Sequence, residues 1–204
     1  MSHNFDKIFY INLDKRVDRF NEIENELKNY DLHNNSERFQ AIDIPEQGIL
    51  GCTMSHLAVI KLAKERNYKQ ILILEDDFYF IISKEEFENE LNLFFDSNIP
   101  YNVCMISYVI NKTSETEYPF IQKVLDAQTA SGYILHNSFY DNLIELFEEA
   151  VEKLRKTKEH WNYANDQIWK KLQPNSNWYS LTKRCGKQRS GYSDNSKSFQ
   201  KYDC

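Results

Sequence analysis

The chain has 204 residues, a mass of 24.4 kDa, 41% hydrophobic and 14% aromatic residues, a net charge of −6 and a pI near 5.4. That length suits one domain with its own core, and the acidic balance argues against general affinity for nucleic acid or anionic membrane. No apolar run has the length of a signal peptide or a membrane span, so the chain reads as soluble, with peripheral membrane contact left open. The four cysteines, Cys52, Cys104, Cys185 and Cys204, contain no Cys-x-x-Cys pair, so cysteine spacing indicates neither a zinc site nor a redox motif.

Residues 7–13 have strand composition. Val17, Phe20, Ile23 and Leu27 then recur at helical spacing. A second strand is expected over 38–42. Residues 48–51 read as a flexible entry to a helix over 55–66, with Leu57, Ile60 and Ala63 facing inward. A third strand, 71–74, runs into Glu75, Asp76 and Asp77. Ser83 followed by Glu86 is a capping-box signature for a helix carrying Phe87, Leu91 and Phe94. Residues 103–107 predict a strand and 112–119 a loop. Further strand and helix are expected at 129–135 and 138–154. Asn165 or Asp166 is a candidate cap for a shorter helix with Ile168, Trp169 and Leu172. Beyond Leu181 the chain turns polar and basic, with a tail from about 183. Alternating strands and helices predict a single α/β domain with ligand chemistry at the carboxyl edge of its sheet.

Three adjacent carboxylates at the end of an apolar strand repel one another and resist desolvation, so they need a cation or a solvent-filled cleft. Strand alternation would put Glu75 and Asp77 on one face and Asp76 on the other. Hard oxygen ligands suit Mn²⁺ or Mg²⁺, ions that complete their shells with substrate phosphates. Asp77 is assigned as the direct ligand, Glu75 as a metal or metal-water contact, and Asp76 as a ribose acceptor. A solvated acidic turn is the competing explanation.

Thr53, Ser55 and His56 stand where helix amides would bind an anion, although capping by Thr53 or Ser55 and a structural histidine explain the same residues. Asn12 and Asp14 end the first strand, and with Arg16 and Arg19 they are candidates for nucleotide contact.

Three blocks in order resemble glycosyltransferase family 25: Phe9-Tyr-Ile-Asn-Leu-Asp-Lys-Arg-Val-Asp-Arg19, Gly48-Ile-Leu-Gly-Cys-Thr-Met-Ser-His56 and Leu72-Ile-Leu-Glu-Asp-Asp77. The resemblance extends more loosely through Ala130-Ser-Gly-Tyr-Ile-Leu135, the Asp166 region and Gln188-Arg-Ser-Gly-Tyr-Ser-Asp194. The family includes bacterial lipopolysaccharide glycosyltransferases and procollagen galactosyltransferases. It implies a GT-A-like, Rossmann-type nucleotide-binding sheet, a nucleotide-sugar donor, commonly UDP-linked, a divalent cation and inversion at the transferred sugar. The implied acceptor is a glycan, a lipid-linked glycan or a collagen-like protein, and the lack of a signal-peptide run makes the cytoplasm of a bacterium or a virus-infected cell the expected setting.

Within that resemblance, Asp166 is the candidate base that takes the acceptor proton, with a plain helix cap as its alternative. Gly132 and Tyr133 are placed at the sugar pocket. The basic tail, with Gln188 and Arg189, would cover the diphosphate, while Ser193 and Asp194 complete the site. The last histidine is His160, so a late histidine ligand is missing and Asp194 or water would substitute. A metal-dependent phosphohydrolase and a noncatalytic carbohydrate- or nucleotide-binding domain are the alternative functions.

Overall fold

The computed structural model describes residues 4–193 and 198–201. Strand β1 (Lys7–Asn12) leads through helix α1 (Val17–Asn29) to β2 (Ser36–Gln40), and α2 (Gly48–Glu65) returns the chain to β3 (Gln70–Glu75). A short strand β4 (Phe78–Phe80) precedes α3 (Lys84–Asp96). Next come β5 (Val103–Met105), β6 (Val109–Ser114), β7 (Ile121–Gln128) and β8 (Gly132–His136). The long α4 (Tyr140–Thr157) and the one-turn helices α5 (His160–Tyr163) and α6 (Asn165–Ile168) follow. The chain closes with β9 (Trp178–Leu181), β10 (Gly186–Gln188), β11 (Gly191–Ser193) and β12 (Ser198–Gln200).

Eight strands form one mixed sheet in the order β2-β1-β3-β8-β5-β9-β7-β6. The β2-β1-β3 third is parallel, β8 runs antiparallel to both β3 and β5, and β5 pairs parallel with β9. Helices cover both faces, and the strand sequences show why. In β1, Phe9 and Ile11 face a core completed by α2 and α4, whereas Ile8 and Tyr10 face one completed by α1 and α3. In β3, Ile71 and Ile73 join the first core and Leu72 and Leu74 the second. Strands buried on both faces read as continuous apolar runs, and the period of two is hidden in them. At Ser83 the expected capping box is present: its hydroxyl accepts from the Glu86 N–H and the Glu86 carboxylate accepts from the Ser83 N–H.

Several expected boundaries change. The segment at 48–51 is the first turn of α2 rather than a flexible entry. The loop expected over 112–119 is partly the hairpin strand β6, paired with β7, which sequence periodicity did not reveal. The strand expected at 129 begins at Gly132. The polar tail contributes β10, which pairs with β4, and β11, which pairs with β12. The β4–β10 pair fixes the chain beyond the acidic residues. Phe78 is fully buried, and a Cβ on Gly132 would stand 2.8 Å from its ring, with Gly186 pressed on the same ring. Among the described residues, no helix is long and apolar enough to cross a membrane.

Candidate functional site

β1 and β3 are parallel neighbours, so Asn12 and Glu75 end at the same edge of the sheet. There the chain turns at Asp76 and Asp77 before β4 begins. Backbone bonds hold this turn from three sides. Glu75 N–H donates to the Ser131 carbonyl (2.9 Å), Asp76 N–H to that of Ile11 (3.1 Å), and Arg189 N–H to that of Asp77 (2.6 Å). Because 76 and 77 form a turn, strand alternation ends at Glu75, and the expected division onto two faces does not occur. All three acids line one cavity of about 300 Å³, which also takes in Arg16, Arg19, Gln188 and Ser193.

The carboxylates are held differently. Arg19 Nη1 lies 3.1 Å from Asp76 Oδ1 and 3.0 Å from Asp77 Oδ2, so one guanidinium nitrogen bridges both. Asn12 donates from Nδ2 to Asp76 Oδ2 (2.8 Å) and accepts from Arg38 Nε at its own Oδ1 (3.0 Å). Asp77 Oδ1 is buried with no hydrogen-bond partner. Burial, reinforced by the charges of Glu75 and Asp76 and opposed by Arg19, pushes the Asp77 carboxyl up to about 7. Burial likewise raises Asp76, against the pull of Arg19 and Asn12.

Burial would also raise Glu75, but the hydrogen bond and charge of His56, with help from Cys52, hold its carboxyl below the usual range. Glu75 Oε1 is 3.1 Å from His56 Nε2 and accepts from the Cys52 thiol at 3.6 Å, and Oε2 accepts from Gln188 Nε2 at 3.3 Å. His56 Nδ1 is 3.0 Å from the Tyr133 hydroxyl.

These placements test whether a divalent cation fits. A positive nitrogen already sits between Asp76 and Asp77, and a buried carboxylate oxygen beside it has no partner. The donor set is hard oxygen, so the residues fit an ion of the Mg²⁺ or Mn²⁺ class.

Ser55 and His56 line the same cavity, but as members of α2 lying two turns past its start, so neither presents a helix N-terminus. Ser55 Oγ donates to the Gly51 carbonyl and accepts from Ile42 N–H, tying the helix to the loop after β2. Several expected site residues do not line the cavity. Thr53 is fully buried and its hydroxyl donates to the Ile49 carbonyl one turn earlier in α2. The Asp14 carboxylate accepts from Arg38 at 2.6 Å, outside the pocket. The Arg189 guanidinium turns to Glu22 and Glu26 of α1 and covers the Tyr79 ring, so only its backbone serves the acidic turn. Gly132 packs on Phe78, and Tyr133 stands behind His56. Asp194 lies outside the described residues.

Asp166 is inside α6, whose N-cap is Ala164, so the cap role expected for it is not realised. Its Oδ2 accepts from Thr129 N–H at 3.1 Å. Burial raises its carboxyl, the Thr129 bond lowers it in part, and the charge of Glu75 raises it further. Asp166 does not line the cavity, but it is near enough for its charge to act on both Glu75 and Cys52. Thr129 has φ = 82°, a left-handed conformation that is an outlier for a β-branched residue.

Sequence reasoning missed Arg38, which ties Asn12 to Asp14, and Cys52. Arg38 carries no motif signal, since only the pairing of β2 with β1 brings it to the site. Cys52 stands four residues before His56, a spacing that becomes informative once the helix is known to start at Gly48.

In overall fold the chain is similar to the crystal structure of a glycosyltransferase involved in the glycosylation of the major capsid of PBCV-1. The TM-score is 0.58 at 10% identity, covering 94% of this chain and 95% of that one. A UDP-glucose pyrophosphorylase complexed with UDP-glucose superposes with a TM-score of 0.48 at 9% identity over 88% of this chain and 74% of that one. The glycosyltransferase GlyE of Streptococcus pneumoniae gives 0.47 at 12% identity over 87% and 45%. The PBCV-1 likeness supports the GT-A-like arrangement of the sheet, and the two weaker ones add nothing to it. No curated protein sequence matches the chain. The family described as "Glycosyltransferase family 25 (LPS biosynthesis protein)" matches residues 46–169, more than half the chain, including α2, the acidic turn and Asp166. With the acidic turn at the carboxyl edge of such a sheet and that match across it, the chain belongs to glycosyltransferase family 25.

Proposed function

We propose that this single-domain chain is a metal-dependent, inverting glycosyltransferase that moves a hexose or N-acetylhexosamine from a UDP-sugar to a hydroxyl of a glycan, a lipid-linked glycan or a protein. The observation that carries this is the acidic turn. Two buried carboxylates share one cationic nitrogen, and the second oxygen of Asp77 has no partner, inside a cavity large enough to admit part of a nucleotide. Asp77, with Asp76 beside it and Glu75 Oε2 within reach through water, would hold Mn²⁺ or Mg²⁺. When bound, such an ion neutralises charge developing on the diphosphate leaving group.

The remaining work belongs to the chain's own residues. Asp76, oriented by Asn12, is placed to accept a ribose hydroxyl. Arg16 and Arg19 stand at the cavity wall, where a diphosphate would meet positive charge. Gln188 and Ser193 also line the cavity, in a segment whose Tyr192 carbonyl accepts from Arg16 and Arg19. Asp166 is the candidate base for the acceptor proton. Its raised carboxyl affinity for a proton suits that task better than an ordinary solvated aspartate would.

The test is a panel of nucleotide sugars, UDP-linked and others, titrated into purified protein with Mn²⁺ and followed by binding and by release of nucleoside diphosphate. Binding of a UDP-sugar that depends on Mn²⁺ is the expected result, and absence of binding across the panel would overturn it. Asp77→Asn should weaken Mn²⁺-dependent donor affinity by more than about a hundredfold, beyond the cost of losing an outer partner of a ligand. Unchanged affinity would remove Asp77 from the metal.

A further inference from the structure

The wall of the cavity made by α2 carries a second set of metal ligands, chemically unlike the acidic turn. Cys52 and His56 are one helical turn apart and project from the same face of α2. Across from them is Glu75, at the end of β3. The Cys52 sulfur is 3.6 Å and His56 Nε2 is 3.1 Å from the same oxygen, Glu75 Oε1. All three ligand atoms lie within 4.8 Å of one another. A tetrahedral ion with bonds of about 2.0–2.3 Å sets its ligand atoms roughly 3.3–3.8 Å apart, so the trio already approximates one face of such a site.

Two further features favour an ion here. His56 Nδ1 has the Tyr133 hydroxyl at 3.0 Å, and both groups are buried, which turns Nε2 toward Glu75. Metal-binding imidazoles are oriented by an outer hydrogen bond of this kind, more often to a carboxylate, backbone carbonyl or water, and here the tyrosine hydroxyl takes that position. Cys52, His56 and Glu75 all line the cavity, whereas Tyr133 does not, so the three ligands share one solvent-accessible space.

We propose that Cys52, His56 and Glu75 form a binding site for a thiophilic divalent ion of the Zn²⁺ class, separate from the hard-cation position at Asp77. Thiol, imidazole and carboxylate together select Zn²⁺ or Co²⁺ over Mg²⁺ and Mn²⁺. On binding, the Cys52 thiol releases its proton to solvent as the sulfur–metal bond forms. His56 gives up the Nε2 proton that now faces Glu75, to solvent or by tautomerisation to Nδ1 beside the Tyr133 hydroxyl, and binds through the Nε2 lone pair, while Glu75 gives Oε1 in place of its present hydrogen bonds. Cysteine spacing concealed this site because one cysteine suffices when a helix and a strand supply the other ligands.

Co²⁺ is the probe, added under reducing, oxygen-free conditions to the full chain. One equivalent should produce a thiolate-to-Co²⁺ charge-transfer band with tetrahedral d–d bands, both displaced by Zn²⁺. Cys52→Ser should abolish the charge-transfer band. Cys52→Asp should keep the d–d bands without it, which shows that the fold and the other two ligands survive. Tyr133→Phe should retain the band but weaken Co²⁺ binding by about 10–100-fold. No charge-transfer band in the parent would overturn the proposal, as would a band of parental strength in Cys52→Ser, which would assign it to another cysteine.

Asp77→Asn separates this inference from the proposed function. It should leave the Co²⁺ band intact while removing Mn²⁺-dependent donor binding. Loss of the band in Asp77→Asn would merge the two positions into one and end the claim of a separate site.

Discussion

The acidic turn and Asp166 are both buried carboxylate sites near one cavity, yet they are satisfied in opposite ways. Asp76 and Asp77 depend on a full positive charge from Arg19, whereas Asp166 is held by an N–H from Thr129 and a longer contact from Gln167. A charge demands a counter-charge when water is removed, and a dipole only softens the demand. The turn already holds a positive nitrogen between its two carboxylates, whereas Asp166 accepts its hydrogen bonds from neutral donors and burial raises its carboxyl.

The largest effect should come from Asp166→Asn. If a proton is taken there, transfer falls by about 10²–10⁴-fold with donor affinity unchanged, measured by product formation beside donor titration. Transfer at the parental rate would break the contrast, leaving Asp166 structural.

Arg19→Gln probes the other side. Breaking a buried ion pair costs about 3–5 kcal/mol, and partial solvation of Arg19 places this one near the lower end. Mn²⁺ should restore much of the loss, read as the shift of a urea unfolding midpoint with and without the ion. A loss that Mn²⁺ leaves untouched would mean that the bridging nitrogen does not mark the cation's place.

A smaller effect sharpens the electrostatic point. In the metal-free protein the Asp77 carboxyl titrates near 7 against an ordinary value of 3.8. The folded state thus binds that proton more tightly than the unfolded state, and its contribution to stability is full below about 3.8 and declines as pH rises toward 7. Asp77→Asn removes the decline. Its melting temperature should pull ahead of the parent's between pH 4 and 7 and then run parallel, by about 2–4 °C for each kcal/mol in a chain of this size. Saturating Mn²⁺ should narrow the gap. A constant gap across pH would assign the difference to packing.

Much of the first half was legible because local signals agree there. Continuous apolar runs specified β1 and β3, the Ser83–Glu86 pair gave the start of α3, and the acids after Leu74 marked the site. What failed was local geometry set by distant parts. The glycines at 48 and 51 look like a loop in sequence, but both belong to α2, and position 51 requires glycine because a Cβ there would strike the Ile42 carbonyl. The strand rule placed Asp76 opposite Asp77, and the turn brought them together on Arg19. In the second half, β6 and β7 carry polar residues on an edge hairpin, so periodicity is weak. Arg189 was read from its charge, yet its backbone N–H does the holding. Cys52 and Arg38 joined the site through pairings that no single segment encodes.

The seam between β4 and β10 also governs when the cavity exists. A nascent polypeptide that has left the ribosome only as far as Leu181 already owns all eight strands of the large sheet. It still lacks Gln188, Tyr192 and Ser193, which complete the wall, and the Arg189 amide that fixes Asp77. The wall that closes the cavity is thus the last part of it to be synthesised, after every strand of the large sheet.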